Sequence, residues 1–129
     1  MTMLKISGNK LQMSAAGMPP VFIYKREGSI IEEHLMKGMP LGTMSNFPYM
    51  LKETELNEGD TILLMSDGLP ELQNADGEIF GYKKVRDIFE ENSFGNPEEI
   101  IKSLKNEGSG WVNGNEPDDD ITFVVIKVK

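Results

Sequence analysis

Between Leu56 and Gly81 the chain reads LNEGDTILLMSDGLPELQNADGEIFG. Its centre, Thr61 to Met65, is a short run that is apolar after its threonine and stops at Ser66-Asp67-Gly68. A run this short, bounded by turn residues, predicts a buried strand. Glu58-Gly59-Asp60 supplies the turn before it. Asp67 falls where the strand runs out, beside a glycine that lets backbone or ligand come close. A carboxylate at the end of a buried strand is not a packing residue. It is solvated, hydrogen-bonded in the turn, or bound to a cation, and Asp-Gly by itself is an ordinary turn.

The sequence before this stretch reads as strands. Thr2 to Ser7 and Lys10 to Ala15 alternate around Ser7-Gly8-Asn9, which predicts a hairpin. Val21 to Tyr24 and Ile30 to Leu35 flank the turn Glu27-Gly28-Ser29. His34 is expected to be an exposed strand residue. Gly38 to Pro48 is rich in glycine and proline and predicts a surface loop. Tyr49 to Leu56 resumes the alternation and leads into the central strand.

After the central strand the period changes. Tyr82, Val85, Ile88 and Phe89 recur at spacings of three and four, so Gly81 to Glu91 predicts an amphipathic helix. Asn96-Pro97-Glu98-Glu99 starts a second one, with Asn96 as cap, Pro97 in the first turn and Glu99 closing a capping box. Gly108 is expected to stop it, leaving Trp111 in the loop from Ser109 to Pro117. Phe123 to Ile126 is apolar on both faces, which predicts a last strand inside a sheet with Leu63 and Val124 both buried. No linker or repeat interrupts residues 1–129, so one domain with no internal boundary is expected.

Composition narrows the chemistry. Net charge is −8, from 21 acidic against 13 basic residues. Such a surface argues against nucleic acid or an anionic membrane as partner. Only Arg26 and Arg86 are arginine, which argues against an arginine clamp on phosphate. There is no cysteine and one histidine. That excludes disulfides, a thiolate nucleophile and a cysteine or histidine metal cluster. No stretch is long and apolar enough to span a membrane, and the start is no signal peptide, so a cytoplasmic location is expected.

Two acidic positions stand at strand ends: Asp67 after the central strand, and the run Asp118 to Asp120 before the last. If these strands run antiparallel in one sheet, the two ends meet at one edge. Crowded carboxylates repel unless a cation neutralises them. Oxygen-only ligands select a hard ion, Mg²⁺ or Mn²⁺ before Zn²⁺. Two such ions could also turn a bound water into a nucleophile. A run of three aspartates is more often a solvated loop.

LNEGDTILLMSDGLPELQNADGEIFG followed by DDDITFVVIKV resembles the SpoIIE-like, RsbU-like bacterial branch of the metal-dependent, protein phosphatase 2C-like (PPM) serine/threonine phosphatases. SAAGMPP and GMPLG are similar to two further segments of that branch, in the same order. The resemblance covers nearly the whole chain. It implies an α/β (α+β) fold: the C-terminal part of the layered phosphatase domain, a mostly antiparallel sheet with two helices on one side. It implies Asp67 and Asp119 as metal ligands with Gly68 against the metal site, Asp120 and Asp118 as neighbours, and Thr122 supporting the aspartate. The implied cofactors are two Mn²⁺ or Mg²⁺ ions in a complete domain. The implied activity is hydrolysis of phosphoserine or phosphothreonine, the usual substrate being a phosphorylated anti-sigma-factor antagonist.

Two features depart from the family pattern. Met18 stands where histidine is usual, and the upstream "D.SGHG" segment, whose aspartate bridges the metals, has no counterpart here. These departures imply a fragment that is inactive alone and self-associates through unpaired strand edges. The alternatives are a non-catalytic phosphatase-like regulatory or binding module, or an unrelated acidic cation-binding protein. The second lacks the glycine and glutamate positions of an EF-hand between Asn113 and Asp120.

Overall fold

The computed structural model describes residues 1–117 and 119–129, so the expectation for Asp118 lies outside the described residues. The elements run β1 (Thr2–Ser7), β2 (Lys10–Ala15), β3 (Val21–Lys25), β4 (Ile30–His34), β5 (Lys52–Glu55), β6 (Thr61–Met65), α1 (Tyr82–Asn92), α2 (Pro97–Val112) and β7 (Phe123–Lys127). Antiparallel pairing divides the strands into two sheets. One has the order β1-β2-β5 and the other β4-β3-β6-β7. Both helices pack on the outer face of the four-stranded sheet, so the layers run sheet, sheet, helices. This is the α+β arrangement expected from the sequence.

Alternation of side chains along a strand explains why β3 and β6 are apolar nearly throughout. In β3, Val21 and Ile23 face the three-stranded sheet, whereas Phe22 and Tyr24 face the helices. In β6, Ile62 joins Leu11 and Met13 in the core between the sheets. Leu63 and Met65 join Val85, Phe89, Ile100 and Leu104 under the helices.

The turn into β6 is fixed by Asp60, which is fully buried. One carboxylate oxygen accepts the Arg26 backbone N–H at 3.0 Å. The other accepts the Asn57 backbone N–H at 3.0 Å and the Lys25 ammonium at 3.1 Å. A buried carboxylate is tolerable because it is paired and hydrogen-bonded. The two glycine-proline segments also meet. The Gly17 N–H donates to the Gly38 carbonyl at 3.2 Å, and a Cβ at Gly17 would lie 2.8 Å from the Pro40 ring. Met18 packs against the core between the sheets.

The capping box at Asn96 is present as expected. Its side chain accepts the Glu99 N–H at 2.9 Å, and its own N–H donates to the Glu99 carboxylate at 3.0 Å. The end of this helix is a correction. It continues through Gly108 to Val112 and closes at Asn113, which is left-handed at φ 47°. Gly108 is a packing glycine: a Cβ there would lie 3.0 Å from Leu69. Trp111 therefore sits on α2.

Three further expectations change. The strand expected from Tyr49 shortens to Lys52–Glu55. His34 is half-buried, with its Nε2 2.9 Å from Glu32. Val124 is 50% exposed, because β7 is the outermost strand of its sheet and the three-stranded sheet does not cover that position. The apolar pattern of β7 comes from packing on two cores without full enclosure: Phe123 and Val125 touch the helix side, Ile126 and Val128 the inter-sheet side. Among the described residues no helix is long and apolar enough to cross a membrane.

Burial separates the two strands energetically. Leu63→Ala should cost about 2–4 kcal/mol, the usual toll of a cavity in a closed core. Val124→Ala should cost less than about 1 kcal/mol, since half of that side chain already meets water. Denaturant unfolding of both variants checks the difference, which should appear as a much lower midpoint for Leu63→Ala alone.

Candidate metal centre

β6 and β7 pair antiparallel, with Met65 opposite Phe123. The C-terminal end of β6 and the N-terminal end of β7 therefore lie together. Beyond the paired residues the contact continues through Ser66. Its N–H donates to the Thr122 carbonyl at 2.9 Å. Its hydroxyl donates to the Asp120 carbonyl at 3.1 Å and accepts the Thr122 N–H at 3.0 Å. Gly68 is buried, and a Cβ there would run into the Asp120 carbonyl. The glycine is needed for this close approach of backbone. Asp67 and Asp119 thus leave the backbone at the same end of the sheet, and both are exposed.

The acidic segment has its own local order. One carboxylate oxygen of Asp119 accepts the Asp120 N–H at 2.8 Å. Asp120 is exposed and gives its carbonyl to Ser66. Thr122 contributes backbone groups, with its side chain exposed. The hydroxyl that ties the two segments together belongs to Ser66, a residue the sequence reading used only to mark where the strand stops.

Two further residues reach this end of the sheet. The Glu71 N–H donates to the Asp67 carbonyl at 3.0 Å, one turn further on. Tyr82, at the start of α1, lies in the field of both carboxylates. Burial first, then the charges of Glu71 and Asp67, raise its phenol above the ordinary tyrosine value. Neither residue carries a sequence signal for the site, because helix packing brings Tyr82 there. A cavity of about 280 Å³ opens beside them, with Gly68, Glu71, Glu116 and Asp119 in its lining. A larger cavity of about 510 Å³, walled by Leu69, Leu104, Val112 and Phe123, holds neither Asp67 nor Asp119.

The segment between β6 and α1 is held as a compact turn. The Asn74 side-chain oxygen accepts the N–H groups of Asp76 at 3.0 Å and Glu78 at 2.9 Å. The Trp111 indole N–H donates to the Glu78 carbonyl at 3.2 Å, and the Lys84 ammonium lies 3.7 Å over the same ring. That pairing of cation and aromatic face links α1 to α2.

The donor chemistry fits a hard cation. Asp67 and Asp119 offer oxygen only, from exposed carboxylates at one sheet end. The set is small: among the described residues no group of three or more histidine, aspartate or glutamate side chains is placed to hold a metal ion. The arginines lie elsewhere. Arg26 packs on Gly59 at the opposite end of β6, and Arg86 is an exposed residue of α1.

Comparison with known proteins identifies the family. Residues 1–129 match the family described as Stage II sporulation protein E (SpoIIE). The chain is 28% identical over 125 residues to Protein IcfG of Synechocystis sp. (strain ATCC 27184 / PCC 6803 / Kazusa), covering 95% of this chain and 19% of IcfG. It is 25% identical over 116 residues to the phosphoserine phosphatase RsbU of Bacillus subtilis (strain 168), covering 90% of this chain and 34% of RsbU. The chain thus spans about a third or less of these relatives. Among solved structures, the phosphatase domain of the cell fate determinant SpoIIE from Bacillus subtilis, presoaked with Mn, superposes with a TM-score of 0.72 at 22% identity. That likeness covers 99% of this chain and 56% of that one. The layered fold and the whole-length match together establish that this chain belongs to the SpoIIE family.

Proposed function

We propose that this chain is part of a metal-dependent protein serine/threonine phosphatase that hydrolyses phosphoserine or phosphothreonine on a protein substrate. The observation that carries the reading is the β6–β7 register, which brings the Asp67 and Asp119 segments to one end of the sheet. Membership of the SpoIIE family and the likeness to the phosphoserine phosphatase RsbU support it. The SpoIIE-like resemblance supplies the finer substrate class: a phosphorylated anti-sigma-factor antagonist in bacterial sigma-factor regulation, in the cytoplasm.

In this reading Asp67 and Asp119 hold Mn²⁺ or Mg²⁺ through carboxylate oxygens. When bound, such an ion supplies charge neutralisation for the phosphoryl group and activates water as nucleophile. Ser66 keeps the Asp119 segment against the end of β6. Gly68 keeps the backbone close enough for that bond to form. Asp120 and Thr122 serve through their backbone groups. The absence of arginine from this end of the sheet leaves neutralisation of the phosphate to the cations.

One observation favours a second reading, a non-catalytic phosphatase-like binding module. Among the described residues the carboxylates suffice for a weak site with much water in the coordination sphere, not for a closed cage. The readings separate on the behaviour of the isolated chain and of the full-length protein.

The purified 129-residue chain should show little turnover of a phosphoserine protein even with millimolar Mn²⁺, whereas the full-length protein should be active. Robust turnover by the isolated chain would overturn the proposed division of the site. No turnover by the full-length protein would favour the binding module. In the full-length protein, Asp67→Asn or Asp119→Asn should lower Mn²⁺-dependent turnover by about 100-fold or more, the scale of lost transition-state charge stabilisation. Asp118→Asn should do much less. Gly68→Ala should also lower activity, because the added methyl displaces the Asp120 backbone. Normal Mn²⁺ titration and turnover in that variant would show that the close approach does not matter.

A further inference from the structure

The segment from Asp67 to Gly81 folds back on itself as a small hairpin. At its root the Glu71 N–H donates to the Asp67 carbonyl, and the Gly81 N–H closes on the Pro70 carbonyl at 2.8 Å. Gln73 and Ile79 pair across it, and the Phe80 N–H donates to the Leu72 carbonyl at 2.8 Å. This hairpin forms one wall of the cleft of about 280 Å³, through Glu71, Gln73 and Ile79. The end of α2 and the segment after it form the other wall, through Val112, Glu116 and Asp119. Gly68, which directly follows Asp67, also lines the cleft, so it opens beside the candidate metal centre.

Trp111 joins the two walls. It stands on α2 immediately before Val112. Its indole N–H donates to the Glu78 carbonyl at 3.2 Å, immediately before Ile79. The same carbonyl accepts the Asn74 N–H at 3.0 Å, so the indole is bonded where the hairpin reverses. The ring meets Phe80 edge-on with centroids 5.7 Å apart, and the Lys84 ammonium lies over its face. At the base of the hairpin Leu69 and Leu72 pack against α2 at Gly108. Among the described residues no other hydrogen bond joins α2 to the hairpin, so its tip is held at its distance by Trp111.

We infer that Trp111 is a positioning residue that sets the width of this cleft, and that the cleft receives the polypeptide flanking the phosphorylated residue of the substrate. The inference rests on the phosphatase reading above. A phosphoryl group held at Asp67 and Asp119 leaves the chain that carries it beside both walls. The lining suits an extended polar chain: Gln73, Glu71 and Glu116 offer hydrogen-bond partners, and Ile79 offers an exposed apolar contact. A small phosphomonoester has no flanking chain. It meets the metal centre and not the walls. Loss of the Trp111 bond frees the hairpin tip from α2. That loosens the hold on a protein substrate and leaves the chemistry at the metal centre as it was.

Steady-state kinetics of the full-length protein with Mn²⁺, on a phosphoserine protein and on p-nitrophenyl phosphate, test this. Trp111→Phe keeps a ring beside Phe80 and under Lys84 but removes the N–H. It should raise KM for the phosphoserine protein about three- to tenfold, the scale of one hydrogen bond. Its kcat, and its turnover of p-nitrophenyl phosphate, should stay within about twofold of the unsubstituted protein. Lys84→Met takes the cation off the ring and should raise the same KM by a smaller factor. Equal losses on both substrates would overturn the inference, because Trp111 would then support the fold or the metal centre in general. An unchanged KM in both variants would overturn it as well. Failure of the unsubstituted protein on both substrates would overturn the phosphatase reading itself, and the inference with it.

Discussion

The position of β6 between two cores constrains everything else. Ile62 belongs to the core between the sheets and Leu63 to the core under the helices, one residue apart and on opposite faces. A shift of one residue in its pairing would exchange the two sets and place Thr61 in the wrong core. The register on β3 and β7 is therefore strongly specified. Asp60 sets where the strand begins, by fixing the preceding turn with three hydrogen bonds. Ser66 and Gly68 set where it ends. The location of Asp67 is a consequence of packing five residues earlier, not of any preference of the aspartate itself.

The acidic end is built from backbone rather than from side-chain pairing. Ser66 bonds the Asp120 carbonyl and the Thr122 N–H, and Gly68 clears the space between them. This leaves the carboxylates of Asp67 and Asp119 facing solvent, where they cost little to keep charged in the absence of an ion. A closed, preformed cluster would carry a larger repulsion. An open pair of carboxylates suits an ion that keeps much of its own water.

Local signals in the sequence and tertiary signals fared differently. The hairpin of β1 and β2, the central strand and the capping box at Asn96 each rest on contacts within a few residues, and each could be read directly. The meeting of the Asp67 and Asp119 segments could be read because antiparallel pairing of two recognisable strands brings their opposite ends together. Gly108 could not. In the chain it looks like a helix stop, and only the methyl group of Leu69 packed against it reveals a contact glycine. Val124 misled for a related reason, since an apolar residue in an edge strand reads the same as one in a central strand. Tyr82 and Glu71 reach the acidic end through the packing of α1 and the turn after β6. The SpoIIE-like motifs identified the family across the whole chain, but motif spacing says nothing about which strand lies outermost.

Because β7 is an edge strand, the acidic segment is only as well placed as β7 is held. Edge strands have solvent-exposed hydrogen bonds and open locally more readily than central ones. The C-terminal end of β7 is secured by the Lys127 ammonium on three carbonyls at the end of α1, a favourable place for a cation. Among the described residues the N-terminal end, next to Asp119, is held by three Ser66 bonds and by the packing of Ile121 and Phe123. The two ends of one strand thus have different anchorage, a lysine ammonium at one and the Ser66 hydroxyl with backbone groups at the other, beside the candidate ligand.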